Sequence, residues 1–237
     1  MPSVGGWLAD PAHWVGPDGI PTRLLEHLLV SGVSLSLAAL IALPLGVWLG
    51  HLGRAGFVAI NVANVGRALP SLALLALALP LAFALGLGLG FWPTVRAMVP
   101  LGVPPMLTNS YAALRAVDRD AVEVGRAMGM RGWQILGQVE LPVAGPLIVA
   151  GIRNAAVAIV ATATLGALVA GGGLGRYIWD GLNRQDYDRL VAGAFLVAAL
   201  AVAVELALGG LERVARRWAG PAAAPGDDPS IALRHPR

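Results

Sequence analysis

Hydrophobic positions in this chain are gathered into long runs separated by short polar islands. The runs cover about 23–50, 55–91, 92–117, 142–170 and 190–211. Each is long enough to cross a bilayer as a helix, which needs roughly 20 apolar residues. In the first run, Glu26 and His27 stand at a polar entrance. Ser31, Ser34 and Ser36 follow, tolerable because a helical hydroxyl bonds back to a carbonyl one turn earlier. Gly46 and Gly50 form a small-xxx-small pair suited to close approach by another helix.

The second run carries Asn61, Asn64 and Arg67 at three-residue spacing, on one helical face. Pro70 removes a backbone donor. One kinked span, about 57–80, is predicted, with the LGLGLG stretch after it as an irregular connection. Two short spans breaking near Pro80 are the alternative. The third run contains Pro100, Pro104 and Pro105. Prolines survive in membrane helices where neighbours satisfy the freed carbonyls, so this helix is expected to be irregular and buried in protein, with Arg96 snorkelling to the surface. The fourth begins with Pro142 and Pro146 in its first turns. The fifth carries Glu205 inside it, placed to pair with an arginine or to sit near headgroups.

Composition strengthens the membrane reading. The chain is 57% hydrophobic and 13% charged, with a mean hydropathy of +0.70. A soluble domain carries about 25% charged residues. With no cysteine, disulfides, thiolate metal sites and cysteine nucleophiles are excluded. His13, His27, His51 and His235 lack ligand spacing, so neither a metal nor a cofactor is expected. All basic residues are arginine. Their number fits flanks of membrane spans better than nucleic-acid binding. If the island between runs three and four is cytoplasmic, Arg54, Arg115, Arg119, Arg126, Arg131, Arg213, Arg216 and Arg217 lie inside and Arg23, Arg176, Arg184 and Arg189 outside. The N-terminus is then outside and the C-terminus inside.

That island, Val117 to Pro146, is the longest polar stretch between runs. Ala121, Val124, Ala127 and Met128 have helical spacing and give one modestly apolar face. Asp118 or Asp120 can cap the start, with Glu123 three residues after Asp120 in a near capping box. Gly129 supplies a left-handed end. RGWQILGQV then offers a second short helix, and Leu141-Pro142 redirects the chain into the membrane. A helix-turn-helix knuckle results, thin enough at Ala121, Gly125 and Ala127 to enter a groove on another protein. An ordinary solvated loop is the plainer alternative.

The spacing of Glu123, Gly129, Val139, Leu141 and Pro142 resembles the EAA loop of permease subunits of binding-protein-dependent ABC importers. Glu123-Val124-Gly125 stands where Glu-Ala-Ala is usual. ALPSLALLALALP at 68–80, LTNSYAALRAVD at 107–118, the stretch 125–155 and ATATLGALVAGGGLG at 161–175 resemble the branch that imports quaternary-amine osmoprotectants such as glycine betaine, choline and carnitine. Methionine-type importers share several of these blocks, which leaves an amino-acid importer as the alternative. The resemblance covers about 23–212 and implies a MetI-like, all-α integral membrane fold. That fold has about five transmembrane helices, with the cytoplasmic coupling loop between spans three and four. It implies a transport subunit rather than an enzyme, in the cytoplasmic (inner) membrane. Its partners are a cytoplasmic ABC ATPase dimer, an extracytoplasmic substrate-binding protein, a second permease subunit and membrane lipid. Each ATPase would accept one coupling helix, about 120–131, through Glu123, Val124, Gly125, Arg126, Met128, Gly129 and Met130.

Two further sets complete the expectations. Pro70, Ser71, Asn109, Thr162 and Thr164 are pathway candidates, because polar groups inside a membrane usually face a bundle interior or cavity. Helix–helix hydrogen bonding is the plainer alternative for each. The run AGGGLG fails as a phosphate loop, since no Gly-Lys-Ser/Thr follows. Gly171, Gly172, Gly173 and Gly175 are read either as a flexible turn or as a hinge at the outer gate. By this reading 1–22 form an interfacial arm, 23–217 the transmembrane domain and 218–237 a disordered tail.

Overall fold

Among the described residues, three long apolar helical stretches, Ile20–Leu52, Gly132–Val169 and Tyr187–Arg217, form the body of the chain with the helices Ser71–Ala84 and Phe91–Arg115. The computed structural model describes residues 4–53, positions 56, 61 and 66, and 70–218. Arg54, Asn64, Arg67 and the tail from 219 lie outside the described residues. Helix α1 (Val4–Ala9) and a 3-10 turn (Pro11–Trp14) precede α2 (Ile20–Leu52), α3 (Ser71–Ala84) and α4 (Phe91–Arg115). The island folds as α5 (Arg119–Ala127) and α6 (Gly132–Ile135), followed by a π-helical segment (Leu136–Glu140), α7 (Leu141–Thr162) and a 3-10 stretch (Ala163–Val169). Short α8 (Gly175–Arg184) and long α9 (Tyr187–Trp218) complete the chain. No strand occurs among the described residues.

The first span is a 33-residue helix, so about 50 Å long. Pro21 sits in its first turn, and Gly53, at φ 65°, ends it. The Ser34 hydroxyl donates to the Val30 carbonyl (2.7 Å) and that of Ser36 to Gly32 (2.8 Å), as expected. Ser31 departs from the pattern, with its hydroxyl buried and unpartnered.

The Gly46–Gly50 pair is where α2 meets α4. A Cβ at Gly46 would lie 2.8 Å from the Leu107 carbonyl oxygen, and one at Gly50 2.6 Å from Leu114 Cβ. Ala38, Ala42, Met106, Leu107 and Ala155 form the core beside this contact. Small residues let backbones approach where lipid offers no hydrophobic drive to associate. Gly46→Leu is expected to force α2 and α4 apart at a cost of about 1–3 kcal/mol. It should lower the unfolding midpoint in detergent, while Gly145→Leu, where a side chain meets nothing within 4 Å, leaves the midpoint in place.

In the described part of span two the helix does not break near Pro80. Pro70 is extended (φ −65°, ψ 126°) and stands before the first turn of α3, and α3 runs through Pro80 to Ala84. Pro70 therefore starts a helix instead of kinking one, because its fixed φ suits a helix entrance and its missing N–H is not needed there. The LGLGLG stretch is irregular as expected, with Gly86, Gly88 and Gly90 at positive φ.

Span three is a continuous helix through its three prolines, which corrects the expected irregularity. Burial is as expected, with Val95, Ala97, Met98, Met106 and Leu107 inside. Arg96 does not snorkel freely, since its Nη1 is buried and unpartnered.

Span four also departs from expectation. Leu141-Pro142 does not redirect the chain, and the helix is unbroken from Gly132 to Val169. Proline at the start of α7 is accommodated because the π segment before it already uses an i→i+5 pattern, with the Leu141 N–H on the Leu136 carbonyl. Span five runs antiparallel to span four. Arg153 of α7 meets Glu212 (2.7 Å) and Glu205 (3.3 Å) of α9, and Glu212 also accepts from Arg216 (2.6 Å). Glu205 thus has an arginine partner.

Candidate functional site

Three places gather the polar residues: the knuckle, the opposite end of the bundle, and a cleft between. In the knuckle, Asp118 caps α5 by accepting from the Asp120 N–H (3.0 Å). The near capping box between Asp120 and Glu123 is not formed, because Asp118 is the N-cap and the helix already begins at Arg119. Helix α5 ends in a complete Schellman turn. The Met130 N–H reaches the Gly125 carbonyl (3.1 Å) and the Gly129 N–H reaches Arg126 (2.9 Å), with Gly129 at φ 79°. Gln134 Oε1 then accepts from the Arg131 N–H (2.7 Å) and opens α6.

Helix α5 has two unlike faces. Val122 packs on the cluster Ala113, Leu114, Val117 and Ala144. Gly125 is buried, with Met130 Sδ and Ile135 at van der Waals distance from a Cβ placed there. The outward face carries Val124 (58% exposed) and Met128 (77%), and Trp133 (66%) stands beside them on α6. The apolar face expected from spacing is therefore turned away from this chain. Trp133 was not among the sequence candidates, although an aromatic after a predicted left-handed turn was available to read.

Glu123 and Arg126 are exposed at the knuckle's edge and line a small polar cleft of about 220 Å³ with His51, Arg115, Arg119 and Glu140. Here His51 Nδ1 and Glu140 Oε2 are 2.5 Å apart, and the Glu140 side chain is almost wholly buried. The pair ties the end of α2 to the π segment. Nothing in the spacing of residues 51 and 140 announced it.

At the opposite end, the glycine run is a close-packed turn and not a loose one. Glu26 Oε2 accepts from the Gly173 N–H (2.8 Å) and from Arg23 Nη1 (2.8 Å). His27 Nε2 lies 2.9 Å from the Val160 carbonyl. A Cβ on Gly171 would strike Thr94, one on Gly172 would strike Glu26, and one on Gly175 would strike Thr164. Gly172 and Gly173 also hold φ of 73° and 76°. Tyr177 donates to the Asp18 carbonyl (2.6 Å) and packs edge-on against Trp7, tying α1 to the same end.

Between the ends lies a cleft of about 460 Å³. Ser71 and Thr162 line it together, with Gly66, Leu101, Pro104, Pro105, Asn154 and Ala158. Pro70 adjoins it in sequence. Asn109 is elsewhere, packed against Gly151 in the α4–α7 contact, and Thr164 is at the glycine end, donating to Ala161 (2.9 Å). Asn154 also lines the cleft, a placement that depends on how α7 packs against α4.

Comparison with known proteins now adds identity. Residues 42–217 match the family described as binding-protein-dependent transport system inner membrane component. The chain is 37% identical over 188 residues to the glycine betaine/carnitine/choline transport system permease protein OpuCB of Bacillus subtilis, covering 79% of this chain and 84% of that protein. It is 38% identical over 187 residues to the carnitine transport permease protein OpuCB of Listeria monocytogenes, covering 79% and 84%. Among solved structures, an inward-facing form of the MetNI methionine ABC transporter shares the fold, with a TM-score of 0.74 at 23% identity over 87% of this chain and 99% of that one. The chain is thus a multi-pass membrane permease that belongs to the family of binding-protein-dependent transport system inner membrane components.

Proposed function

We propose that this chain is the permease subunit of an ATP-driven importer of quaternary-amine osmoprotectants such as glycine betaine, choline and carnitine. Relatives at 33% identity and above that carry those substrates in their names support the substrate class. The single observation that carries the mechanism is the outward apolar face of Val124 and Met128 on a helix whose other face is anchored to the bundle. A cytoplasmic ATPase takes that face in a groove, one ATPase per permease subunit, and ATP hydrolysis stays on the ATPase. Rigid-body movement of the docked knuckle then switches access. Gly129 and Met130 close the turn that holds α5 at its angle, and Gly125 lets α6 approach it.

A second permease subunit faces the central cleft and completes the pathway that Ser71 and Thr162 line. An extracytoplasmic binding protein delivers substrate at the end where Gly171, Gly172, Gly173 and Gly175 form the outer gate. The glycine turn joins the fourth span to α8 there, fastened by Glu26 and His27. Glu123 and Arg126 act at the rim of the knuckle. The reading is tested by reconstituting the chain with the neighbouring ATPase and binding protein in vesicles. Uptake of labelled choline, carnitine or glycine betaine that requires ATP is expected, with methionine not carried. Methionine uptake without quaternary-amine uptake would overturn it.

A further inference from the structure

The central cleft has two chemically different walls. On α4, Leu101, Pro104 and Pro105 line it. Residues 101 and 105 are one turn apart and share a helical face. In a helix the carbonyls of residues 100 and 101 point at the nitrogens of 104 and 105. Both of those nitrogens belong to proline and carry no hydrogen. The Pro100 and Leu101 carbonyls therefore lose the backbone donor that an α-helix would give them. Thr108, the nearest hydroxyl along the helix, is already occupied, because it donates to the Pro104 carbonyl (2.6 Å). Within a membrane an uncompensated carbonyl is costly unless it faces a cavity.

The facing wall supplies donors. Asn154 and Thr162 on α7 and Ser71 at the start of α3 present an amide and two hydroxyls. No charged side chain of the described residues lines the cleft.

We infer that the tandem-proline step of α4 makes a carbonyl-rich wall that receives the cationic head of a small quaternary ammonium compound, while Asn154, Ser71 and Thr162 receive its oxygen function. A quaternary ammonium group has no N–H to donate and spreads its charge over its methyl groups. Carbonyl dipoles satisfy it without demanding hydrogen-bond geometry, and a carboxylate or hydroxyl at the other end needs donors. The volume of about 460 Å³ falls in the range of small-molecule pockets, roughly 300–1,000 Å³. A wall of dipoles without a full counter-charge holds the cation weakly, which suits passage, because a site on a pathway must also release. This inference rests on the permease reading above and adds the residues that read the substrate.

The test compares choline with its neutral carbon isostere, 3,3-dimethylbutan-1-ol, by calorimetric titration of the permease–ATPase complex in lipid nanodiscs without binding protein. Choline is expected to bind at least tenfold more tightly than the isostere. Pro105→Ala returns an amide to the Leu101 carbonyl and should weaken choline at least fivefold while leaving the isostere unchanged. Pro80→Ala, at a proline inside α3 that does not line the cleft, should behave as the wild type. If Pro105→Ala does not assemble, Pro104→Ala, which occupies the Pro100 carbonyl, takes its place with the same expectation. Equal binding of choline and isostere by the wild type, or unchanged choline binding in the assembled proline variant, overturns the inference. ATP-driven choline uptake by the wild-type complex separates the two levels. Uptake with equal binding sinks only the carbonyl wall, and no uptake of any quaternary amine sinks the permease reading itself.

Discussion

Val124→Glu combined with Met128→Glu is expected to remove the partner ATPase from the complex while the chain still enters the membrane. Both side chains are exposed on the outward face of α5 and make no packing contribution to the bundle core. Burial of one such side chain in a partner's groove is worth about 1.5–3 kcal/mol. Losing two, and desolvating two carboxylates instead, should weaken association by more than about a hundredfold, since each 1.4 kcal/mol is roughly tenfold. Copurification with the ATPase and ATP-dependent uptake should both disappear, and the unfolding midpoint of the isolated chain should stay within a degree or two. Glu123→Ala is expected to have the smaller effect, because Glu123 lines the side of α5 nearest His51 and Glu140. An ATPase that copurifies normally with the double variant would rule out this face as the docking surface.

Arg153→Met should be the most damaging single change in the transmembrane body. Arg153 is the only described cation within reach of Glu205, and it shares Glu212 with Arg216. The Glu212 side chain is 8% exposed, so removing Arg153 leaves a buried carboxylate with one partner and Glu205 with none. Breaking a buried pair by deleting one partner costs about 3–5 kcal/mol. The measurable result is loss of folded protein at physiological temperature. Adding Glu205→Gln and Glu212→Gln to Arg153→Met should recover much of that loss, since the cost comes from orphaned charge. A single variant as stable as the wild type would show that the network contributes nothing.

Much of this fold was legible because apolar runs and small-residue pairs report directly on helices in lipid. The Gly46–Gly50 contact, the Gly129 turn and the irregular LGLGLG connection all follow from local chemistry that a neighbour cannot override. Proline was harder to read. The same residue type starts a helix at Pro70, sits inside one at Pro80 and is absorbed at three positions in α4. Which outcome occurs depends on where the missing N–H falls relative to neighbouring helices, and that is a tertiary fact. The knuckle's spacing identified its helix but not which way each face turned. Packing of Val122 and Gly125 against the bundle turns Val124 and Met128 outward. Of the polar residues read inside the spans, Ser71 and Thr162 line the cleft, Asn109 packs against Gly151 and Thr164 donates to Ala161, while Asn154 joins the cleft through the packing of α4 on α7.

The unbroken helix from Gly132 to Val169 has a mechanical consequence. Its 38 residues make a rod about 57 Å long with the knuckle at one end and the glycine turn at the other. Tilting a rod of that length by about 10° around its middle moves each end by about 5 Å, and moves them in opposite directions. If the segment moves as one body, a push at the knuckle, as proposed above, is returned at Gly171–Gly175 with reversed sign. The two ends of the bundle cannot both swing inward or both swing outward through this rod. Under the proposed function, a lever of this kind would open one gate as it shuts the other.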